Sequence, residues 1–202
     1  MNKNWKDLNA YKASLKLSEI QKEIIIGSVL GDLSIRQIGK YSRLALVREH
    51  KEYLFHLYDI FKDFTRTPPK ERVQKRLKTS EPKSTWYFST ISRRAPRLYR
   101  ELFYPHGKKI FPVDVGDHLS ARSLAYWYMD DGTYNKGYYS LSTANFTLEE
   151  HNLLVDCLDA CFACKPTIQG TAYKNLYIPV KYGPRFKSLI EPNVAPPAVR
   201  DV

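Results

Sequence analysis

The sequence predicts an α+β protein in which one order of elements, namely helix, hairpin, helix, hairpin and helix, occurs twice. Three observations favour this fold class. Two apolar runs of helical length, 18–34 and 120–133, each hold an aspartate at the end, Asp32 and Asp131. Each run is followed by short alternating segments with turn residues between them. The 202 residues are 43% hydrophobic, which is enough for a packed core. We therefore expect an internal repeat with the two apolar helices packed together at its centre.

The first apolar run begins with a helix start signal. Ser18 and Gln21 match a capping box directly before the apolar residues. Gly27 and Gly31 lie one turn apart, and a glycine inside a helix costs about 1 kcal/mol relative to alanine. Close approach of a second backbone is one reason for such glycines, and we assign Gly27, Gly31 and Ala125 to the helix interface. The alternative for Gly31 is that it simply ends the helix.

The remainder of the first half alternates hairpins and helices. A hairpin is predicted over 33–47, turning at Gly39 and projecting Arg36, Arg43 and Arg48. An apolar stripe predicts a helix over 49–64, which the following prolines end. A second hairpin surrounds 80–83, and a short helix covers 93–104.

The second half repeats this order after a connector that contains Lys109. A helix begins at Ser120, and a hairpin turns at Asn135-Lys136-Gly137. Thr147 and Glu150 form another capping box that opens a helix to about Phe162. Two strands surround Gly170, and a last helix covers 184–190. The predicted organisation is an N-terminal lead-in over 1–17, a first half over 18–116 and a second half over 117–202.

The charge of the chain indicates a polyanionic partner. The formal net charge is +11, from 32 Lys and Arg against 21 Asp and Glu, and the chain has 15 tyrosines. A basic surface concentrates polyanions, and Arg and Tyr suit phosphate contacts and base stacking, so nucleic acid is favoured over a membrane surface. The candidate nucleic-acid contacts on predicted strands are Arg36, Gln37, Arg43, Lys75, Arg76, Lys78, Lys136, Gln169 and Lys174.

The ends and the cysteines point to an intracellular protein. No apolar window is long enough for a transmembrane helix, and the polar N-terminus lacks the core of a secretory signal. We expect the cytoplasm or an organelle matrix. Cys157, Cys161 and Cys164 are an odd number in a non-secretory chain, which argues against a disulfide framework. Free or buried thiols are favoured over a metal or redox role.

The two apolar runs carry a family signature. The segments IIGSVLGDL, over 25–33, and LAYWYMDDG, over 124–132, resemble the LAGLIDADG motif of homing endonucleases, and the second is the more specific. The resemblance extends over nearly the whole chain and is closest to the single-chain members that hold two motifs. It implies two pseudo-symmetric αββαββα halves that pack through the motif helices, each with an antiparallel sheet that binds double-stranded DNA in the major groove.

The resemblance also implies a chemistry. It assigns Asp32 and Asp131 as ligands of Mg²⁺ or another divalent cation such as Mn²⁺, and Lys109 as the active-site lysine of the first half. The function it implies is site-specific double-strand cleavage by a monomer at a long asymmetric site. Two carboxylates at helix C-termini repel each other and oppose the helix dipole, and a dication between them reverses both effects. Asp130 is predicted to point elsewhere on its helix. The alternative for Asp32 and Asp131 is that they are ordinary turn residues, and for Lys109 that it is a solvated linker residue.

The chain departs from the family pattern in two places. Ala45 and Ala144 stand where the family often has a polar residue, with Asn145 adjacent. Near the C-terminus, Arg200 is the only basic candidate for the second lysine. The departures leave two other functions open, which are an intron-binding RNA maturase and a DNA-binding protein with a decayed active site.

Overall fold

The computed structural model describes Tyr11 and residues 14–74, 83–92 and 94–194. The helices bounded within these residues are α1 (Glu19–Leu30), α2 (Lys51–Phe61), α3 (Ala95–Phe103), α4 (Ala121–Asp131), α5 (Leu148–Phe162) and α6 (Gly183–Ile190). The strands are β1 (Ser34–Ile38), β2 (Tyr41–Arg48), β3 (Lys70–Gln74), β4 (Lys83–Ser89), β5 (Gly132–Asn135), β6 (Tyr138–Leu141), β7 (Thr167–Gln169) and β8 (Asn175–Ile178). Short 3-10 turns cover Lys62–Phe64, Val115–His118, Val180–Tyr182 and Glu191–Asn193.

The element order confirms the predicted α+β repeat. Helix, hairpin, helix, hairpin and helix follow one another in each half. The two sheets have the same topology, with strand order β1-β2-β4-β3 in one and β5-β6-β8-β7 in the other, and all pairings are antiparallel. The first hairpin turns at Gly39 with φ 56°, where a residue without a Cβ is favoured.

The contacts divide the chain into two compact units. The first contains the residues up to Lys22 together with Ser34–Arg100. The second contains Glu23–Leu33 together with the residues from Glu101 onward. Most of α1 is therefore grouped with α4 in the second unit, because the two helices pack on each other. The start of α1 has the predicted capping box, in which the Ser18 N–H donates to Gln21 Oε1 at 3.0 Å and the Gln21 N–H donates to Ser18 Oγ at 3.2 Å.

The first unit packs α2 on one face of its sheet. The apolar residues on this face are buried, namely Ile35, Leu44, Leu46 and Phe88. Phe55 of α2 meets Trp86 edge to face at 5.6 Å. Arg48, which was predicted to project, is buried instead on this face, with its guanidinium 5.5 Å from the ring centre of Tyr53. The prediction was wrong because strand residues alternate between faces, and Arg48 falls on the same side as Leu44 and Leu46.

The second unit builds its core from β6, β8, α4 and α6. Leu141, Leu176 and Ile178 are buried on the inner face of the sheet. The Tyr139 ring lies 5.6 Å from that of Tyr128 in α4 and 5.0 Å from that of Phe186 in α6, and this cluster fixes the sheet against both helices. The predicted capping box of α5 is present in full, with Thr147 and Glu150 each accepting from the other's N–H.

The cysteines are free thiols at or near the C-terminal end of α5. Cys157 is half-buried, Cys161 is exposed and Cys164 is buried. Burial raises the pKa of Cys157 to about 12 and that of Cys164 to about 11, so both are protonated at neutral pH. Within 14–74, 83–92 and 94–194, no group of three or more His, Cys, Asp and Glu residues could hold a metal ion. None of the helices in these ranges has the length and apolar character needed to cross a membrane.

Candidate active site at the central helix ends

The seam between α1 and α4 depends on a glycine. A Cβ on Gly27 would lie 2.1 Å from the carbonyl oxygen of Ser123, far inside van der Waals contact. The backbones of the two helices therefore touch at this point, which a side chain would prevent. Ser120 caps α4 by accepting from the Ser123 N–H at 3.1 Å. Ala125, in the same helix, is completely buried. Gly27 thus lies where the two backbones meet, and the assignment of Ala125 to this interface stays a prediction.

The C-terminal ends of the two helices meet through Asp130. A Cβ on Gly31 would lie 2.4 Å from the Cβ of Asp130, so the absence of a side chain at Gly31 makes room for this residue. The backbone N–H of Asp32 donates to Asp130 Oδ2 at 3.3 Å. The prediction that Asp130 points elsewhere was therefore wrong, because the seventh position of the motif faces the partner helix. Gly31 combines both predicted roles, since α1 also ends at Leu30, one residue earlier.

The two motif carboxylates stand at these helix ends. Asp32 is exposed in the turn between α1 and β1, and Asp131 is the half-buried last residue of α4. The Leu33 N–H donates to Ser28 O at 2.7 Å and the Ser142 N–H donates to Asp131 O at 2.9 Å. Each aspartate is thereby fixed where its helix passes into a strand. The backbone of Asp131 lies in the last turn of α4. The Gly132 N–H closes this turn by donating to Tyr128 O.

Lys109 reaches the same place from the connector. Its Nζ donates to Leu30 O at 2.8 Å and to Gly31 O at 2.7 Å, so the ammonium caps the last carbonyls of α1. Burial lowers the pKa of Lys109, and the charges of Asp131, Asp32 and Asp130 oppose this shift. A half-buried cation that donates to two backbone carbonyls near three carboxylates is not a solvated linker residue.

Glu150 anchors the connector that carries Lys109. Its Oε1 accepts from the Phe111 N–H at 2.9 Å, while its Oε2 accepts from the Thr147 N–H at 2.6 Å. The Phe111 ring meets Phe146 edge to face at 6.2 Å. The sequence identified Glu150 only as part of a capping box. Its second partner joins residues distant in sequence, and no local pattern records that contact.

The donor set at the helix ends suits a hard divalent cation. Asp32 and Asp131 supply carboxylate oxygens, which Mg²⁺ prefers, and a magnesium site commonly uses one or two carboxylates with water and substrate phosphates. The carboxylates of Asp131, Asp32 and Asp130 all act on the pKa of Lys109, so acidic groups from both motifs share this end of the helix pair. Asp32 is exposed, so the cluster is open to solvent, as binding of a cation and a phosphate requires.

The predicted nucleic-acid contacts of the first unit separate by strand register. Arg36 and Arg43 are directly opposed on β1 and β2 and share the face opposite α2. Gln37 lies on the other face, and its Nε2 donates to Gly39 O at 3.2 Å. Lys75, Arg76 and Lys78 lie outside the described residues, as does Arg200. Sequence reasoning missed Lys70 of β3, whose register places it with Arg72 on the face of Arg36 and Arg43.

The predicted contacts of the second unit lie on strand β7 and in two turns. Gln169 is exposed on β7. Lys136 occupies the β5–β6 turn with φ 46°. Lys174 precedes β8, and its Nζ donates to Thr171 O at 3.3 Å. Of the two alanines where the family often has a polar residue, Ala45 is buried in β2 and Ala144 is exposed after β6.

The fold and the site together define a protein of two αββαββα repeats whose central helices bring acidic residues to one end. Comparison with known proteins agrees with this class. The family model described as the LAGLIDADG DNA endonuclease family matches residues 22–186. The chain belongs to this family.

Individual relatives extend the match over most of the chain. A probable intron-encoded endonuclease 1 from Wickerhamomyces canadensis is 31% identical over 89% of this chain and 82% of its own length. A cytochrome b mRNA maturase bI2 from Debaryomyces hansenii is 30% identical over 86% of this chain and 70% of its own length. The solved structure of the homing endonuclease I-WcaI bound to its DNA recognition sequence superposes with a TM-score of 0.90 at 30% identity. It covers 98% of this chain and 92% of the I-WcaI chain.

Proposed function

We propose that the protein is a site-specific double-strand DNA endonuclease that hydrolyses phosphodiesters with a divalent cation held by Asp32 and Asp131. The observation that carries this proposal is the placement of Asp32, Asp130, Asp131 and Lys109 at one end of the α1–α4 pair. The match to an endonuclease bound to its DNA target supports the substrate class. Endonucleases of this family depend in general on divalent metal, and we propose Mg²⁺, or Mn²⁺ in its place.

The residues of the site have separable tasks in this reaction. The carboxylates of Asp32 and Asp131 would hold the cation at the two helix ends. A bound divalent cation lowers the pKa of coordinated water and neutralises charge that develops at phosphorus. Lys109 holds a positive charge against the C-terminal carbonyls of α1. From there it stabilises the developing phosphate charge or orders the attacking water.

The repeat supports action by a single chain. Asp32 and Asp131 come from equivalent positions of the two motifs, so one molecule supplies both acidic ends. We infer that the protein acts as a monomer on a long site without exact two-fold symmetry. The names of the relatives, which refer to introns and to cytochrome b mRNA, support a place in an organelle matrix, with the cytoplasm as the alternative.

Substitution of the acids tests the proposal. Asp32→Asn and Asp131→Asn remove a negative ligand with little change in shape, and each should lower the cleavage rate by about a thousandfold, equivalent to several kcal/mol. DNA binding measured by gel shift should persist. Asp156→Asn, an exposed acid on α5, is the matched control and should cleave as the wild type does. Cleavage by both variants at the wild-type rate would show that the mechanism is wrong.

A maturase activity is the second candidate, because a relative that matches most of the chain is named as an mRNA maturase. The partner would then be intron RNA. The two functions separate in one experiment, in which the protein is incubated with its host intron RNA and with DNA that spans the intron insertion site. Tight RNA binding and faster splicing without DNA cleavage would favour the maturase. Cleavage without RNA binding would favour the endonuclease, and specific DNA binding that is indifferent to Mg²⁺ would indicate a decayed site.

A further inference from the structure

We propose that the two sheets read DNA by different chemistry. The first sheet uses cationic side chains that contact phosphates and guanine. The second sheet uses uncharged amides, hydroxyls and tyrosine rings that favour A·T base pairs. This inference rests on the proposed function and adds the base composition and salt response of the target site to it.

The face of the first sheet that lies opposite α2, here called its outer face, is basic. Its register places Arg36 opposite Arg43, and Lys70 opposite Tyr87. Arg72 follows on the same face, with its guanidinium 4.9 Å from the ring centre of Tyr87. Stacking on a ring restricts the guanidinium before any ligand arrives, which reduces the entropy lost on binding. Arg36, Lys70 and Arg72 are exposed, so this face presents positive charge to solvent.

A cavity concentrates this charge at one place. A hollow of about 430 Å³ is lined by Arg43, Arg66 and Lys70, with the remaining lining from Thr67, Pro68 and the β4 segment from Tyr87 to Ser92. None of its lining residues is acidic. The Nε of Arg43 is buried and has no hydrogen-bond partner among the described residues. An anion such as a phosphate in this cavity would meet cationic side chains and could accept from the buried Nε of Arg43.

The outer face of the second sheet, which is the face away from the buried Leu141, Leu176 and Ile178, is uncharged. Alternation and register direct to it Thr133, Asn135, Tyr138, Ser140, Thr167, Gln169, Asn175 and Tyr177. None of these residues, which the described strands β5–β8 contribute, is charged. The rings of Tyr138 and Tyr177 pack at 4.6 Å, and the Nδ2 of Asn135 donates to the Tyr138 hydroxyl at 3.0 Å. Lys136 and Lys174 flank the strands from turns rather than from this face.

The hydrogen-bonding groups of the bases allow a base composition to be predicted for the DNA that each sheet contacts. Arginine and lysine donate two bonds to the O6 and N7 of guanine, whereas asparagine and glutamine pair with the N6 and N7 of adenine. Apolar and aromatic groups contact the thymine methyl group. Phosphate neutralisation by lysine and arginine makes affinity depend on salt, and uncharged contacts do not. Base pairs contacted by the first sheet should therefore be rich in guanine, and those contacted by the second rich in A·T.

Selection from a randomised duplex library identifies which bases each sheet reads. Full-length protein is incubated with the library in EDTA, so that bound DNA is not cut, and retained duplexes are sequenced. Arg36→Gln should relax preference by fivefold or more at positions that select guanine. Asn135→Ala and Gln169→Ala should relax preference at positions that select adenine or thymine. If Arg36→Gln relaxes A·T positions, or the amide variants relax guanine positions, the inference is overturned.

Salt titration separates the charged from the uncharged contacts. Lys70→Gln and Arg72→Gln should each make the slope of log affinity against log salt shallower by about 0.9. Between 50 and 200 mM salt, each variant should therefore lose about 3.5-fold less DNA affinity than the wild type. Asn135→Ala and Gln169→Ala should leave the slope unchanged. Thr167→Lys, which adds a cation to the second face, should steepen the slope by a similar amount.

The two levels of the proposal fail in different ways. If wild-type protein retains no duplex at any salt, the proposed function is contradicted at its first step. If it retains and, with Mg²⁺, cleaves selected duplexes but both sheets give equal salt slopes and equal guanine content, only the inference about the two reading faces is overturned. All of the substituted residues are exposed, namely Arg36, Lys70, Arg72, Asn135, Thr167 and Gln169. Thermal melts of the variants should therefore match the wild type.

Discussion

The Oδ2 of Asp130 accepts a hydrogen bond from the backbone N–H of Asp32 at 3.3 Å. The two residues belong to different motifs, and Asp130 stands in the second motif where Gly31 stands in the first. A side chain at Gly31 would overlap that of Asp130, so the two residues fit as a pair. The pseudo-symmetric helix pair is therefore asymmetric at the point nearest the motif acids, where one helix positions the end of the other.

We predict that Asp130 positions Asp32 for cation binding. Asp130→Ala removes the acceptor that holds the Asp32 backbone, and groups that orient metal ligands typically change metal affinity or activity by about 10- to 100-fold. Cleavage should therefore need a correspondingly higher Mg²⁺ concentration. Asp130→Asn keeps a carbonyl acceptor and should fall between the wild type and Asp130→Ala. The measurement is the cleavage rate across a Mg²⁺ titration.

The control for this prediction is Asp156→Asn, which removes one exposed negative charge from α5 and should not change the Mg²⁺ requirement. A purely structural role for Asp130 would reduce stability and lower the maximal rate without moving the Mg²⁺ midpoint. An unchanged midpoint in Asp130→Ala would therefore contradict the positioning role.

Neighbouring residues of α1 should respond in opposite directions to alanine. In an isolated helix, Gly27→Ala would stabilise by about 1 kcal/mol. Here the new Cβ would lie 2.1 Å from Ser123 O, so we expect a net loss of about 1–3 kcal/mol in the free energy of unfolding. The Ser28 hydroxyl is buried with no hydrogen-bond partner in the described part of the chain. Removing it in Ser28→Ala should be neutral or stabilising by about 1 kcal/mol.

Urea unfolding of the two variants measures both effects against the same wild type. The two variants are a close comparison, because both substitutions introduce alanine at consecutive buried positions of the same helix. A stabilised Gly27→Ala would mean that α1 and α4 do not approach as closely as the seam requires.

Local patterns were sufficient to predict the elements of this fold. The capping boxes at Ser18 and Thr147 depend on residues three apart, and the structure contains both. The glycine turn at Gly39 and the closing Asp131 are likewise local signals. Contacts between distant residues were not predictable in this way. The direction of Asp130 depends on the rotation of α4 against α1, and the burial of Arg48 depends on strand phase relative to α2.

The site shows the same limit. Both motif acids and Lys109 were identified from their resemblance to a motif, but the atoms that Lys109 contacts were not. Its partners are the backbone carbonyl oxygens of Leu30 and Gly31. Every residue has a backbone carbonyl, so the residue types in a sequence do not indicate such a contact. The anchoring of the connector by Glu150 was missed for a related reason, since it accepts a backbone N–H.

Loss of the Lys109 charge should reduce catalysis more than DNA binding. Lys109→Met keeps the length of the side chain but removes the ammonium that caps α1. We expect the cleavage rate to fall by about 100-fold or more, as when a group that stabilises transition-state charge is removed. The unfolding free energy should fall by about 1–2 kcal/mol, because hydrogen bonds to a charged group are lost while the cost of burying the charge is relieved.

Lys108→Met is the matched control, because Lys108 is the adjacent residue, is exposed and carries the same charge. It should weaken DNA binding slightly at low salt and leave the cleavage rate of bound DNA unchanged. Equal effects of the two substitutions on cleavage of bound DNA would show that Lys109 contributes only to the overall positive charge.

Glu150 should act on cleavage through Lys109. Its two oxygens accept from the Phe111 and Thr147 N–H groups, so Glu150→Ala loses both bonds, while Glu150→Gln keeps one acceptor oxygen. We expect losses in unfolding free energy of about 2 and about 1 kcal/mol respectively. Glu150→Ala should also slow cleavage, because the connector that delivers Lys109 to α1 is no longer anchored. Glu149→Gln, an exposed neighbour in the same helical turn, should change neither quantity by a comparable amount.

A double-substitution cycle distinguishes this route from a general loss of stability. If Glu150 affects the reaction only by placing Lys109, then Glu150→Ala should slow the wild type but should not further slow Lys109→Met, since the group it positions is already absent. The stability losses should still accumulate in the double variant, because the Thr147 N–H bond at the start of α5 does not involve Lys109. Rates that multiply in the double variant would contradict the coupling and assign Glu150 a separate effect on the site.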